Sequence, residues 1–485
     1  MRKWLCFLLA ALFLPLPVLF SGCAGQAGAR VRDEYVIEAA YENGTLTAAQ
    51  EVLWHNRTGA DAGYVLFNLY GNAYREGAKY APVSRSFTAS AYYAGKSYGN
   101  MEITSVSGVA GWEVCGEDEN ILRAEFSEPV PAGESARIRI EYALTLAGVN
   151  HRTGIARRSV NLGNFYPVLC VYEEGAFAEC VYDSCGDPFY SECADYSVTF
   201  TAGAQYAVAA SGECVSATLS GAKKTYEYAL ENARDFAIVL GEDYTVLQTN
   251  ARGVNVMYYH YADENAAATL QLIADAVTYF NDTFGKFPYK TYTAVQTGFC
   301  YGGMEYPALA MLSDSLSGEE LGYTAVHETA HQWWYAAVGS DQRTYAWLDE
   351  GLAEYSSALF YGAHEGRGYT FASLFEGARS AYNAFCSVQK QLFGGADTSM
   401  NRRLGEYNSE LEYVNIAYHK GMMLFDSLRA AVGEKRFFAG LKNYYADFSG
   451  GIARPEHLAA SFSGRAAKKA AQSVIRAYTA GEPSL

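Results

Sequence analysis

Between Asp33 and Gly241 the chain alternates apolar and polar residues over short runs. Tyr35-Val36-Ile37-Glu38-Ala39, Ala136-Arg137-Ile138-Arg139-Ile140 and Tyr196-Ser197-Val198-Thr199-Phe200 are examples, with Gly, Asn and Asp between such runs. A period of two with β-branched and aromatic residues predicts half-buried strands, so residues 33–242 are expected to form a β-rich domain. After Asp243 the period changes. Val254–Tyr259 predicts one more strand, Ala266–Phe280 a helix, and Phe284-Gly285-Lys286-Phe287-Pro288-Tyr289 a turn. From there helical spacing dominates, and Leu424, Phe425 and Leu428, then Phe437, Phe438 and Leu441, mark core faces of late helices. The expectation is a multidomain α+β chain, with residues 243–485 a mixed α/β, mostly helical second domain.

Composition narrows the function classes. Of 485 residues half are hydrophobic, enough for two or three cores. With 37 basic against 53 acidic residues the net charge is −16, which argues against a nucleic-acid partner. Arg2 and Lys3 precede a largely apolar stretch, Trp4 to Phe20, and then Ser21-Gly22-Cys23. This resembles a bacterial lipoprotein signal over residues 1–23, whose cysteine is lipidated. Residues 24–32 would then be a tether and the body would sit outside the cytoplasm, anchored to the membrane through Cys23. Phe20 departs from the aliphatic residue usual there. No other run approaches the ~18 apolar residues of a membrane span. Cys170, Cys180, Cys185 and Cys193 cluster; in an exported chain they are disulfide candidates, without a pairing that sequence can assign.

The strongest chemical signal is His327-Glu328-Thr329-Ala330-His331, followed after eighteen intervening residues by Glu350 in Trp347-Leu348-Asp349-Glu350-Gly351. Residues i and i+4 share a helix face, so His327 and His331 can address one metal. Apolar Leu321, Val326, Ala330, Trp333, Trp334 and Ala337 supply a buried side, Ser317 with Glu320 a capping box, and Gly339 a stop. A second helix, Trp347 to Tyr361, would present Glu350 as third ligand and Glu354, one turn on, as a hydrogen-bond partner for a ligand histidine. Three protein ligands with one open position describe a catalytic zinc site, and Glu328 is placed to act as general base.

Two further stretches carry less information alone. Gly302-Gly303-Met304-Glu305-Tyr306 offers a glycine backbone that a peptide can approach as an added strand, with a carboxylate beside it for an α-ammonium group. Tyr418, in Ala417-Tyr418-His419-Lys420-Gly421, is one of 40 tyrosines; a phenol beside a tetrahedral intermediate can donate to its oxyanion.

Taken in order, GGMEY, HExxH with Glu350 in WLDEG, and YxKG resemble the aminopeptidase N and leukotriene hydrolase family of zinc peptidases. The pattern covers residues 300–421. The resemblance implies a saddle-like N-terminal β domain and a thermolysin-like catalytic domain. It implies one zinc on His327, His331 and Glu350, Glu328 as general base and Tyr418 as transition-state stabiliser. Gly302, Gly303 and Met304 would bind substrate backbone and Glu305 the free N-terminus of a peptide. Three departures stand out. Tyr306 replaces a common Asn, Ser357 replaces an acidic residue seven positions after the third ligand, and a large C-terminal helical domain is not expected. The rival readings are a thermolysin-like endopeptidase and a catalytically silent peptide-binding lipoprotein.

Overall fold

The computed structural model describes residues 31–481. The expected leader with Cys23, and all but the last two residues of the tether, lie outside the described residues. Strand alternation in the first half becomes a seven-stranded sheet in the order Glu213–Ser220, Lys223–Ala233, Ala194–Gly203, Asp33–Glu42, Thr45–His55, Ser135–Thr145, Asn100–Ser107. Its neighbours are antiparallel except Asp33–Glu42 with Ala194–Gly203, which run parallel with Tyr35 opposite Tyr196. Along Asp33–Glu42 every second residue is buried, including Tyr35, Ile37, Ala39 and Tyr41, as a sheet with one face on the core requires. Two four-stranded sheets and the two-stranded pair Tyr172–Glu173 with Ala176–Phe177 complete this half.

Residues 242–243, where the sequence pattern changes, lie between the strands Ile238–Gly241 and Thr245–Ala251. A five-stranded sheet follows in the order Thr245–Ala251, Val254–His260, Thr291–Thr297, Leu309–Ser313, Gly303–Met304. Thr291–Thr297 is buried along its whole length, as a parallel strand covered on both faces must be. The last strand is two residues long, runs antiparallel to Leu309–Ser313 and forms the sheet edge. Helices Ala266–Thr283 and Gly318–Ala330 pack beside this sheet, and Glu350–Ala363, Lys420–Val432 and Glu434–Phe448 follow, with Leu424, Phe425, Leu428, Phe437 and Leu441 in the core. From Arg32 onward the described chain is one compact unit. Its eight cysteines are free thiols, and no described helix is long and apolar enough to cross a membrane.

Local geometry corrects three expectations. Ser317 is the N-cap of the helix Gly318–Ala330 but makes no side-chain cap bond. Gly318 enters the helix at φ +55°, and a left-handed first residue breaks the geometry of a Ser317–Glu320 box. The helix stops at Ala330 rather than near Gly339, because the chain opens into a wide turn, Gln332–Ala337, with Trp334 at φ −111°, ψ 58°. The His331 ring takes the Trp334 carbonyl at 3.1 Å, a carbonyl that a continuous helix would keep for its own ladder. Gly339 instead lies in the strand Val338–Ser340, paired with Gly451–Ala453. The second helix starts at Glu350, where the Asp349 carboxylate accepts from Glu350 N at 2.7 Å, and runs through Gly362 to Ala363.

One crossing fixes the relation of the later helices. A Cβ placed on Gly421 would lie 2.7 Å from Gly351 Cα, so the helices Glu350–Ala363 and Lys420–Val432 touch backbone to backbone. Gly421→Ala is therefore expected to destabilise the fold by ~1–3 kcal/mol, the usual cost of overpacking. Urea denaturation beside the unsubstituted protein measures this; an unchanged midpoint would mean that the crossing relaxes freely.

Candidate zinc centre and its cleft

The helix Gly318–Ala330 and the helix Glu350–Ala363 bring His327, His331 and Glu350 together with all three side chains buried. One donor atom from each lies within 4.8 Å of the others. His327 Nε2 and His331 Nε2 are 3.0 Å apart, and Glu350 Oε2 is 3.3 Å and 3.2 Å from them. The Trp334 carbonyl on His331 Nδ1 sets the ring proton there and leaves the Nε2 lone pair facing the other two donors. Glu354 Oε2 stands 3.0 Å from His327 Nδ1, an ion-pair contact that lies off the line of a directed hydrogen bond. Two imidazoles and a carboxylate, buried and convergent, fit a single zinc ion.

Glu328 is one residue round from His327 and is buried, with Oε2 lacking any hydrogen-bond partner. Burial pushes its carboxyl up to about 7. It abuts the sheet edge: a Cβ on Gly303 would lie 2.3 Å from Glu328 Oε1, so only glycine permits this approach. Tyr418 sits in a wide helical turn, Val414–His419, and its hydroxyl donates to Glu350 Oε1 at 2.6 Å. Its ring stacks on His327 with centroids 5.8 Å apart.

Glu305 follows the edge strand and is buried; burial, then the neighbouring Asp187, drives its carboxyl well above the usual range. Gln342 Nε2 donates to Glu305 Oε1 at 3.4 Å, and no cationic Lys or Arg pairs with Glu305 among the described residues. Gln332, next to His331, ties this segment to the histidine helix: its Oε1 accepts from Ala308 N at 2.8 Å and its Nε2 donates to Tyr306 O at 3.2 Å. Tyr306 itself is buried beside Phe189, with centroids 6.3 Å apart, and does not line the cleft. Ser357, at the position where an acid was the alternative, is buried and donates to Ala353 O at 2.9 Å.

A cleft of about 480 Å³ is lined by Gly302, Gly303, His327, Glu328, Glu354 and Tyr418. The sequence motifs do not include three charged residues that also face it, Arg152, Asp187 and Glu410. Arg152 donates to Asp187 Oδ1 at 2.5 Å and to Met304 Sδ at 3.1 Å, fixing the edge strand from the β-rich half. Glu410 faces it from the segment before Tyr418. None of the three has a spacing signal, since folding alone unites positions so far apart in the chain.

Residues 268–478 match the model of the peptidase family M1 domain. Aminopeptidase M1-B of Oryza sativa subsp. japonica is 22% identical over 364 residues, covering 70% of this chain and 40% of the rice protein. Leukotriene A-4 hydrolase of Xenopus laevis is 26% identical over 178 residues, 35% of this chain and 28% of that protein. The chain thus spans well under half the length of these relatives. The crystal structure of the M1 zinc metallopeptidase from Deinococcus radiodurans superposes with a TM-score of 0.65 at 16% identity, covering 94% of this chain and 95% of that one. The zinc triad, the glycine edge strand and the tyrosine all fall inside residues 268–478, the span that matches the peptidase family M1 domain.

Proposed function

We propose that this protein is a zinc-dependent aminopeptidase that removes N-terminal residues from peptides. The observation that carries the reading is Glu305: a buried carboxylate without a Lys or Arg partner among the described residues, at the end of a sheet edge that runs past Glu328. An α-ammonium group is the natural complement of such a carboxylate. Similarity to named aminopeptidases supports the same reading.

Each residue then has a task that its position supports. The free edge of Gly303–Met304 accepts the peptide as an added antiparallel strand, with Gly302 beside it. Glu305 holds the amine and so fixes which carbonyl reaches the triad. His327, His331 and Glu350 would hold zinc, which when bound would supply Lewis acidity toward the carbonyl and the attacking water. Glu328, its Oε2 unpartnered, takes the water's proton and delivers it to the leaving amine. The Tyr418 hydroxyl, held against Glu350, turns to donate to the oxyanion as the carbonyl carbon becomes tetrahedral. Glu354 keeps the His327 ring oriented. We infer in addition that the protein acts outside the cytoplasm, tethered by lipid on Cys23; the Arg2-Lys3 start, the apolar stretch to Phe20 and Cys23 support this.

The zinc-loaded protein is expected to shorten a free peptide stepwise from its N-terminus and to leave the N-acetylated peptide intact, as followed by mass spectrometry. Internal cuts in both peptides would mean that Glu305 does not gate the site and that the protein is an endopeptidase. Glu328→Ala should keep stoichiometric zinc by elemental analysis yet lose turnover; loss of metal would refute the separation of base from ligands. Tyr418→Phe should lower kcat by about 10²–10³, the size of one oxyanion donor, with zinc content unchanged. Cys23→Ala should release the protein from the membrane fraction of a bacterial host, and continued membrane retention would rule out the lipid tether.

A further inference from the structure

Four carboxylates line the cleft: Asp187, Glu328, Glu354 and Glu410. Three have an evident counterpart. Asp187 is paired with Arg152 at 2.5 Å, Glu354 with His327 at 3.0 Å, and Glu328 stands beside the zinc triad. Arg152 is the only Lys or Arg lining the cleft among the described residues, and Asp187 already neutralises it. Glu410 has no ion pair among the described residues; its hydrogen-bond partners are neutral donors, the Cys185 thiol at 3.8 Å from Oε2 and the Ser84 hydroxyl. A half-buried carboxylate in this condition is a site of uncompensated negative charge.

The walls around it are aromatic. Phe87, Tyr301 and Tyr413 line the same cleft, with Phe87 and Tyr301 edge to face at 4.6 Å. Tyr413 in turn packs edge to face on Tyr418, with centroids 5.7 Å apart, so the pocket adjoins the reacting end of the cleft. Aromatic faces take the methylene stem of a long side chain and attract its cationic head. An apolar side chain would instead cover the Glu410 carboxylate and leave it desolvated.

We propose that Glu410 makes the cleft selective for lysine or arginine side chains next to the bond that is cut. The proposal rests on the aminopeptidase reading above and names the substrate class of that same site. Glu410 is a specificity residue here: it contacts the substrate side chain and takes no part in bond breaking.

The test compares free peptides carrying lysine, norleucine or glutamate at the first position and, separately, at the second. Norleucine matches the lysine stem without the charge. The zinc-loaded protein is expected to favour lysine over norleucine by roughly ten- to a hundredfold in kcat/KM at one of the two positions, the range of a charge-assisted hydrogen bond. Glu410→Gln should collapse that ratio toward one, and Glu410→Lys should invert the order of lysine and glutamate. A ratio near one in the unsubstituted protein at both positions, or a ratio unchanged by Glu410→Gln, would overturn the proposal. Calorimetric binding of the same peptides to zinc-loaded Glu328→Ala, with and without Glu410→Gln, separates the two readings. Lysine-selective binding that depends on Glu410 without any turnover would keep the subsite and discard the aminopeptidase. Turnover without selectivity would do the reverse.

Discussion

Everything near the zinc centre depends on where the Glu350 carboxylate is held. One oxygen faces both histidine Nε2 atoms and the other accepts the Tyr418 hydroxyl at 2.6 Å. A single buried carboxylate therefore links three separate stretches of chain. Burial opposes its ionisation, yet the two imidazoles beside it hold its carboxyl below the usual range. Its own backbone is pinned by the Asp349 cap, and the next residue, Gly351, is pressed against Gly421. The position of the ligand and that of the phenol are set by the same helix contact, so neither can drift without the other.

The β-rich half takes part in this arrangement rather than merely adjoining it. Arg152 and Asp187 come from that half, and Arg152 reaches Met304 on the edge strand. Gln332 does the equivalent from the histidine helix, through Tyr306 and Ala308. The short edge strand is thereby clamped between the two halves of the chain. Two residues of sheet pairing alone would leave such a strand loosely held.

Much of this was legible in the residues themselves. The His327–His331 spacing and Glu350 encode a metal site because helix geometry is local and regular, and the strand alternation at Tyr35–Ala39 or Tyr196–Phe200 is equally local. The exit of the histidine helix was not legible, because a side-chain contact from His331 to the Trp334 carbonyl overrides the glycine further on. Arg152, Asp187, Gln342 and Glu410 carry no spacing that sets them apart from ordinary charged or polar residues. They become meaningful only when tertiary packing brings residue 152 beside 187 and 304, and residue 342 beside 305.

The brevity of Gly303–Met304 also bears on how the molecule behaves among its own copies. An open sheet edge offers unpaired amide groups to any extended chain, and long flat edges template sheet-to-sheet association. This edge spans two residues and lies within a walled cleft. It is too short and recessed to receive the strand of a folded neighbour. The brevity of the strand thus limits sheet-to-sheet association through this edge.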